Sequence, residues 1–181
     1  MLYPTTTITL KNGKEAVLRS PRKEDAAELL AYLRRTAEET DFVLRYPEEV
    51  TMTVEQEEGF LQRINQSENS YMILCMVDGK LAGNCSMQFH DKMKVRHRGE
   101  MAIALIKEFW GMGIGTILFE EMISLARERG AKQLELGMVD GNERGLALYH
   151  KMGFREYGRL PNAFHQKDGT MRDEILMVKE L

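Results

Sequence analysis

Phe109-Trp110-Gly111-Met112-Gly113-Ile114-Gly115-Thr116 stands between two stretches of different periodicity. Upstream, Glu100 to Ile106 reads as a buried strand. Downstream, Ile117 to Ala126 carries apolar residues at helical spacing. A glycine-rich turn therefore joins a strand to a helix N-terminus. Glycine lets backbone approach a ligand with no Cβ in the way. The first amides of a helix lack internal partners and sit at the positive end of its dipole. The turn is thus a candidate phosphate cradle, with a plain packed turn as the alternative.

Working outward, Lys132 to Met138 is a further strand, and Asp140-Gly141-Asn142 turns into a short helix, Glu143 to Met152. Asn142 is placed to cap it and Gly153 to stop it. Strands follow at Phe154 to Leu160 and Glu174 to Lys179. On the N-terminal side, Asn12-Gly13 signals a hairpin between Ile8–Leu10 and Ala16–Arg19. A helix follows from about Arg22 to Glu39, with Ala26, Leu29, Leu30 and Leu33 on one face. Thr53-Val54-Glu55-Gln56 is a capping box opening a helix to about Asn65. Asp78-Gly79 joins strands Tyr71–Val77 and Leu81–His90. A two-residue turn there sets Cys75 opposite Ala82 and Cys85 opposite Met72, so the thiols face opposite ways and stay free. Asp91 to Arg98, rich in Lys and Arg, reads as a solvated hairpin tip or as a lip for an anionic ligand group. The order is a mixed α/β one, neither strictly alternating nor a bundle.

At 181 residues the chain is expected to form one domain, 1–181. A net charge of −3 gives no electrostatic footprint for nucleic acid. No apolar run approaches the roughly 20 residues of a membrane span. The N-terminus lacks a basic-then-apolar signal pattern, so the expected location is the cytoplasm. The four histidines are scattered and no Cys/His cluster has metal-ligand spacing, so no metal is expected.

Trp110-Gly111-Met112-Gly113-Ile114-Gly115, together with Asn142 to Phe154 (Asn-Glu-Arg-Gly-Leu-Ala-Leu-Tyr-His-Lys-Met-Gly-Phe), resembles the GCN5-related N-acetyltransferase family. The first stretch matches that family's pyrophosphate motif, and the second its Asn…Leu-Tyr…Gly-Phe signature. Trp110 replaces the usual Arg or Gln, as in members of the ribosomal-protein acetyltransferase branch, which leaves the diphosphate to backbone amides. The resemblance implies one central, mostly antiparallel sheet of about seven strands, splayed in the middle, with about four helices on both faces.

It also implies acetyl-CoA as co-substrate and direct attack by a primary amine in a ternary complex; the sequence does not identify the acceptor, and a protein or peptide amine is favoured over a polyamine, an amino acid or a drug. Leu105, Ile106 and Lys107 would pair with the pantetheine arm, and Gly111, Met112, Gly113, Ile114, Gly115 and Thr116 would take the diphosphate. Asn142 would contact the cofactor. Tyr149 would be the general acid, and Glu100, ten residues before Trp110, the candidate base. Glu39, Asp41, Phe42, Tyr46, Asn162, Phe164 and His165 are candidates for the acceptor side, each also explained as ordinary loop residues. Homodimers are what the family implies. The alternative is an acyl-CoA-binding sensor or scaffold without turnover, which would not need Tyr149 or Glu100. A dinucleotide fold requires glycine where Thr116 stands, and a P-loop requires Gly-Lys-Ser/Thr, which is absent.

Overall fold

The computed structural model describes residues 2–181. Its eight strands are β1 (Thr6–Thr9), β2 (Glu15–Arg19), β3 (Ser70–Val77), β4 (Lys80–Phe89), β5 (Arg98–Leu105), β6 (Gln133–Val139), β7 (Arg155–His165) and β8 (Met171–Glu180). They form one sheet in the order β1-β2-β3-β4-β5-β6-β8-β7. Every neighbouring pair is antiparallel except β5 and β6, which are parallel. The count is one above the seven expected, and the final hairpin is longer than its apolar pattern suggested. The outer residues of β7 are mostly exposed, so alternation never marked them.

Four helices pack on this sheet: α1 (Ala26–Glu39), α2 (Val54–Gln66), α3 (Ile114–Glu128) and α4 (Glu143–Lys151). Tyr32 of α1 donates its hydroxyl to Asn84 on one face of β4. On the opposite face the Leu105 side chain lies against Gly115 of α3. The core fills both sides of the central strands, and Leu18, Ile73, Leu74, Leu118, Phe119 and Leu134 are fully buried in it.

The helix starts follow local chemistry. Thr53 accepts from the Gln56 amide while the Gln56 side chain accepts from the Thr53 amide, so the capping box forms as expected. Helix α1 begins later than its apolar spacing suggested, because residues Lys23–Asp25 form a 3-10 turn. There the Asp25 carboxylate takes the Arg22 amide and both terminal nitrogens of Arg19.

One register expectation fails. A bulge between Cys75 and Met76 shifts the β3–β4 pairing, setting Cys75 opposite Gly83 and Cys85 opposite Ile73. Directly paired residues share a face, so the two thiols point the same way. Both are buried and free. A bulge adds a residue to one strand, which turn chemistry alone does not reveal.

Beta strands 5 and 6 carry the feature that positions the site. Their pairing holds only from Arg98/Gln133 to Glu100/Glu135. Beyond that rung the strands diverge and leave the β5 edge without a strand partner. Among the described residues, no helix is long and apolar enough to cross a membrane.

Candidate active site

The divergence of β5 from β6 opens a cleft of about 590 Å³. Its floor is the free edge of β5 at Ile103, Ala104 and Leu105. One end is the turn from Trp110 to Thr116, and one wall is α4 from Asn142 to Tyr149.

Two glycines of the turn hold backbone that other residues rarely adopt. Gly111 and Gly113 have φ of 82° and 89°, in the left-handed region where L side chains are strained. Gly113 is the N-cap of α3, so the amides that follow it open onto the cleft at the helix's positive end. A Cβ on Gly115 would fall 3.0 Å from the Leu148 side chain, so that glycine lets α3 and α4 approach.

Hydrogen bonds decide which β5 groups are available. Ile106 donates to the Ala82 carbonyl, and the Lys107 amide donates to the Glu39 carboxylate at 2.6 Å. These two expected pantetheine partners are therefore already engaged. Successive backbone groups of a strand point to alternate sides. With Ile106 directed to β4, Leu105 and Ile103 direct theirs to the gap. The Leu105 carbonyl is taken by the Trp110 indole N–H at 2.9 Å. That leaves the Leu105 amide and both groups of Ile103, a residue the sequence reading passed over. Of the expected turn residues, Gly111, Gly113, Ile114, Gly115 and Thr116 line the cleft, whereas Met112 directs its carbonyl to the Lys11 amide.

Four cationic side chains converge on the turn. The Arg144 guanidinium stacks on the Trp110 ring at 4.9 Å. Lys107 lies at 5.7 Å from the same ring. Lys151 donates to the Thr116 hydroxyl at 3.1 Å. Lys11, on the β1–β2 turn, lays its aliphatic chain close to Gly113. Among the described residues, Lys11, Arg144 and Lys151 have no carboxylate partner within ion-pair distance. Trp110 therefore does more than replace a polar side chain. It seats Arg144 at the turn by a cation–π contact.

Asn142 caps α4, its side chain accepting from the Gly145 amide at 2.9 Å. Tyr149 lies at the base of the cleft and is 8% exposed. Its ring packs on Phe119 and Phe154 at 5.6 and 6.5 Å. Burial, with a smaller contribution from the neighbouring Cys85, pushes the phenol up to about 12. It is therefore protonated across the neutral range.

Glu100 is not brought to this cleft. It stands on the last paired rung of β5 with an exposed side chain, and His90 Nε2 is 3.6 Å away. It shares its face with Ala102 and Ala104, the face that α1 covers at Tyr32. On that side a smaller cleft of about 180 Å³ lies under the α1–α2 loop, lined by Asp41, Tyr46, Phe164 and His165. The Lys167 amide donates to the Tyr46 hydroxyl at 3.0 Å, and Glu48 pairs with Lys167, tying this loop to the β7–β8 loop. Phe42 lines the large cleft instead. Glu39 is occupied by the Lys107 amide and Arg35. Asn162, at a φ of 53°, donates its amide to Asp173.

The sequence model of the Acetyltransferase (GNAT) family matches residues 27–154. A GNAT-family acetyltransferase from Streptococcus pneumoniae superposes with a TM-score of 0.86 at 32% identity, over 92% of this chain and 99% of that one. The ribosomal-protein-alanine N-acetyltransferase of Brucella melitensis gives 0.78 at 28%, over 91% and 99%. A Salmonella typhimurium acetyltransferase described with its cofactor acetyl-CoA gives 0.78 at 18%, over 92% and 94%, a likeness of fold alone. The chain spans between 42% and 68% of the lengths of the curated relatives it matches.

Proposed function

The chain belongs to the acetyltransferase (GNAT) family, and from that premise we propose that it moves an acetyl group from acetyl-CoA to a primary amine. The observation that carries this reading is the convergence of three elements on one cleft. These are a left-handed glycine turn opening α3, an unpaired strand edge on β5, and the buried Tyr149 phenol.

The donor set fits the cofactor. A diphosphate suits the α3 amides and the Lys11, Arg144 and Lys151 cations. An extended amide-bearing arm suits the free edge at Ile103 and Leu105, as an added strand would. Acetyl-CoA, when bound, supplies an activated thioester and a thiolate leaving group. The residues of the chain do the rest. The Ile103 and Leu105 amides point into the gap, where they can donate to a carbonyl oxygen. Tyr149 holds a proton at its hydroxyl and can give it to the departing sulfur. Asn142 fixes the α4 N-terminus beside the turn, so its cofactor role is to hold that wall in place.

The acceptor reading is a protein or peptide amine. It rests on the Trp110 branch likeness and on the structural neighbour described as acting on a ribosomal-protein alanine. The small cleft beneath the tied loops suits the end of a chain rather than a bulky ring system. The test is thiol release from acetyl-CoA with an alanine-initiated peptide, a lysine peptide blocked at its N-terminus, spermidine and free amino acids. Turnover with the free N-terminus above the others supports the reading. Acetyl-CoA binding without thiol release in any arm would instead favour the sensor.

A further inference from the structure

Glu100, the expected base, does not line the large cleft, and β8 carries another candidate proton acceptor. Glu174 is paired with Val139 in a regular β6–β8 ladder. Paired residues share a face, so Glu174, Val139, Gly137 and Glu135 project to the same side as Glu100, Ala102 and Ala104. Extending the β5–β6 register past its last rung sets Gly137 level with Ala102, and Val139 with Ala104. Glu174 thus stands level with the free edge of β5, two alternate positions beyond Glu100.

Space at this point is made by small residues. Gly137 and Ala102 are exposed, and Ala104 is half-buried. A Cβ on Gly137 would fall 3.1 Å from the Glu174 carboxyl carbon and 3.5 Å from its Cγ. The absent side chain is what lets the carboxyl lie over β6, the strand that borders the gap. Among the described residues, this carboxylate has no hydrogen-bond or ion-pair partner, unlike the acids around it. Glu135 is bound by Arg98, and Asp140 and Asp173 by Arg159. Arg172, two residues away on the same face, is turned to the Asp140 carbonyl. A half-buried carboxylate left unpaired is held ready for a cation that the fold does not supply.

We propose that the Glu174 carboxylate receives the ammonium of the acceptor and takes its proton. The free amine then attacks the thioester carbonyl, the C–N bond forms and the C–S bond breaks. The thiolate takes the Tyr149 proton, and the amide nitrogen gives up its second proton, which returns to the phenol through solvent. The proton on Glu174 passes to solvent, so one ammonium and one thioester yield one amide, one thiol and one proton. This inference rests on the acetyltransferase reading. It differs from the Glu100 expectation in the strand that carries the base.

Bromoacetyl-CoA tests the placement without an identified acceptor. Its electrophilic methylene occupies the acetyl position, where a neighbouring carboxylate oxygen displaces bromide and forms an ester. Peptide mass spectrometry is expected to find the adduct on Asp173–Lys179. Excess acetyl-CoA should suppress it, and Glu174→Gln should abolish it while leaving acetyl-CoA affinity within about twofold by calorimetry. That last measurement also shows that the variant is folded. Adduct at Glu100, at a cysteine, or at no residue of the β8 peptide, in protein that binds acetyl-CoA, overturns the Glu174 assignment alone. Protein that binds no acetyl-CoA would overturn the acetyltransferase reading and this inference with it.

Discussion

Arg98 grips Glu135 through two parallel bonds, Nε to Oε1 at 2.5 Å and a terminal nitrogen to Oε2 at 2.6 Å, across the last stretch where β5 and β6 are paired. Glu135 is 7% exposed. The Arg98 pair, with smaller help from Gln133 and against the cost of burial, holds its carboxyl below the usual range. A fork-to-fork pair fixes orientation as well as distance. Here it pins the vertex from which the cleft opens.

Glu135→Gln should therefore act at a distance from the cofactor. Arg98 is partly solvated, which reduces the cost of a broken pair to about 2 kcal/mol. The opening angle should loosen with it, weakening acetyl-CoA binding by about threefold to tenfold. Urea denaturation and calorimetry on the same protein read the two effects. Lost stability at full affinity would mean that the pair holds the fold but not the cleft.

Gly113 offers a test with an internal control. Its φ is 89°, and a Cβ would meet the Lys11 side chain at 3.1–3.3 Å. Gly113→Ala should lose about 1–2 kcal/mol of stability from the left-handed backbone and at least tenfold in acetyl-CoA affinity. Gly130 has a φ of 81° and no neighbour within 4 Å of a Cβ. Gly130→Ala should show a similar stability loss with unchanged affinity. Equal affinity losses would mean that the turn is not a phosphate site.

Tyr149→Phe should reduce kcat by about a hundredfold or more with little change in acetyl-CoA affinity. Because burial pushes the phenol up to about 12, its deprotonation lies above ordinary assay conditions. The kcat profile of the parent protein should show no fall from this group below about pH 10. A decline near pH 9 that disappears in the phenylalanine variant would contradict the placement.

Asp25 makes stability depend on acid. Burial raises its carboxyl, but the Arg19 pair and the Arg22 amide outweigh it and hold the group low. A depressed carboxyl contributes fully above the unfolded value of about 3.9 and loses that contribution as pH falls through the folded one. Asp25→Asn should cost about 3 kcal/mol at pH 7. The gap from the parent should narrow by pH 3, as read by denaturant titration at both values.

What was legible in the sequence was local. The turn, the Thr53 capping box, the Asn142 cap and the Tyr149 position each depend on residues within one or two turns of chain. Missed features depend on partners far away in sequence. Ile106 and Lys107 are expected cofactor contacts until Ala82 and Glu39 are seen to hold their amides. Lys11 reaches the turn across about a hundred residues of chain, which no local pattern records. Arg144 reaches it only because the α4 face meets Trp110. The cysteine faces reversed on a single bulge. Glu174 sat in a strand recognised by its apolar residues, and only the β6–β8 register sets it over Gly137.

The most direct measurement is calorimetric titration of the folded protein with acetyl-CoA, alongside desulfo-CoA and NADH. Saturable, salt-sensitive binding of acetyl-CoA and of desulfo-CoA at one site is expected, and none of NADH. Failure of acetyl-CoA to bind, or equal binding of NADH, would contradict the acetyltransferase reading.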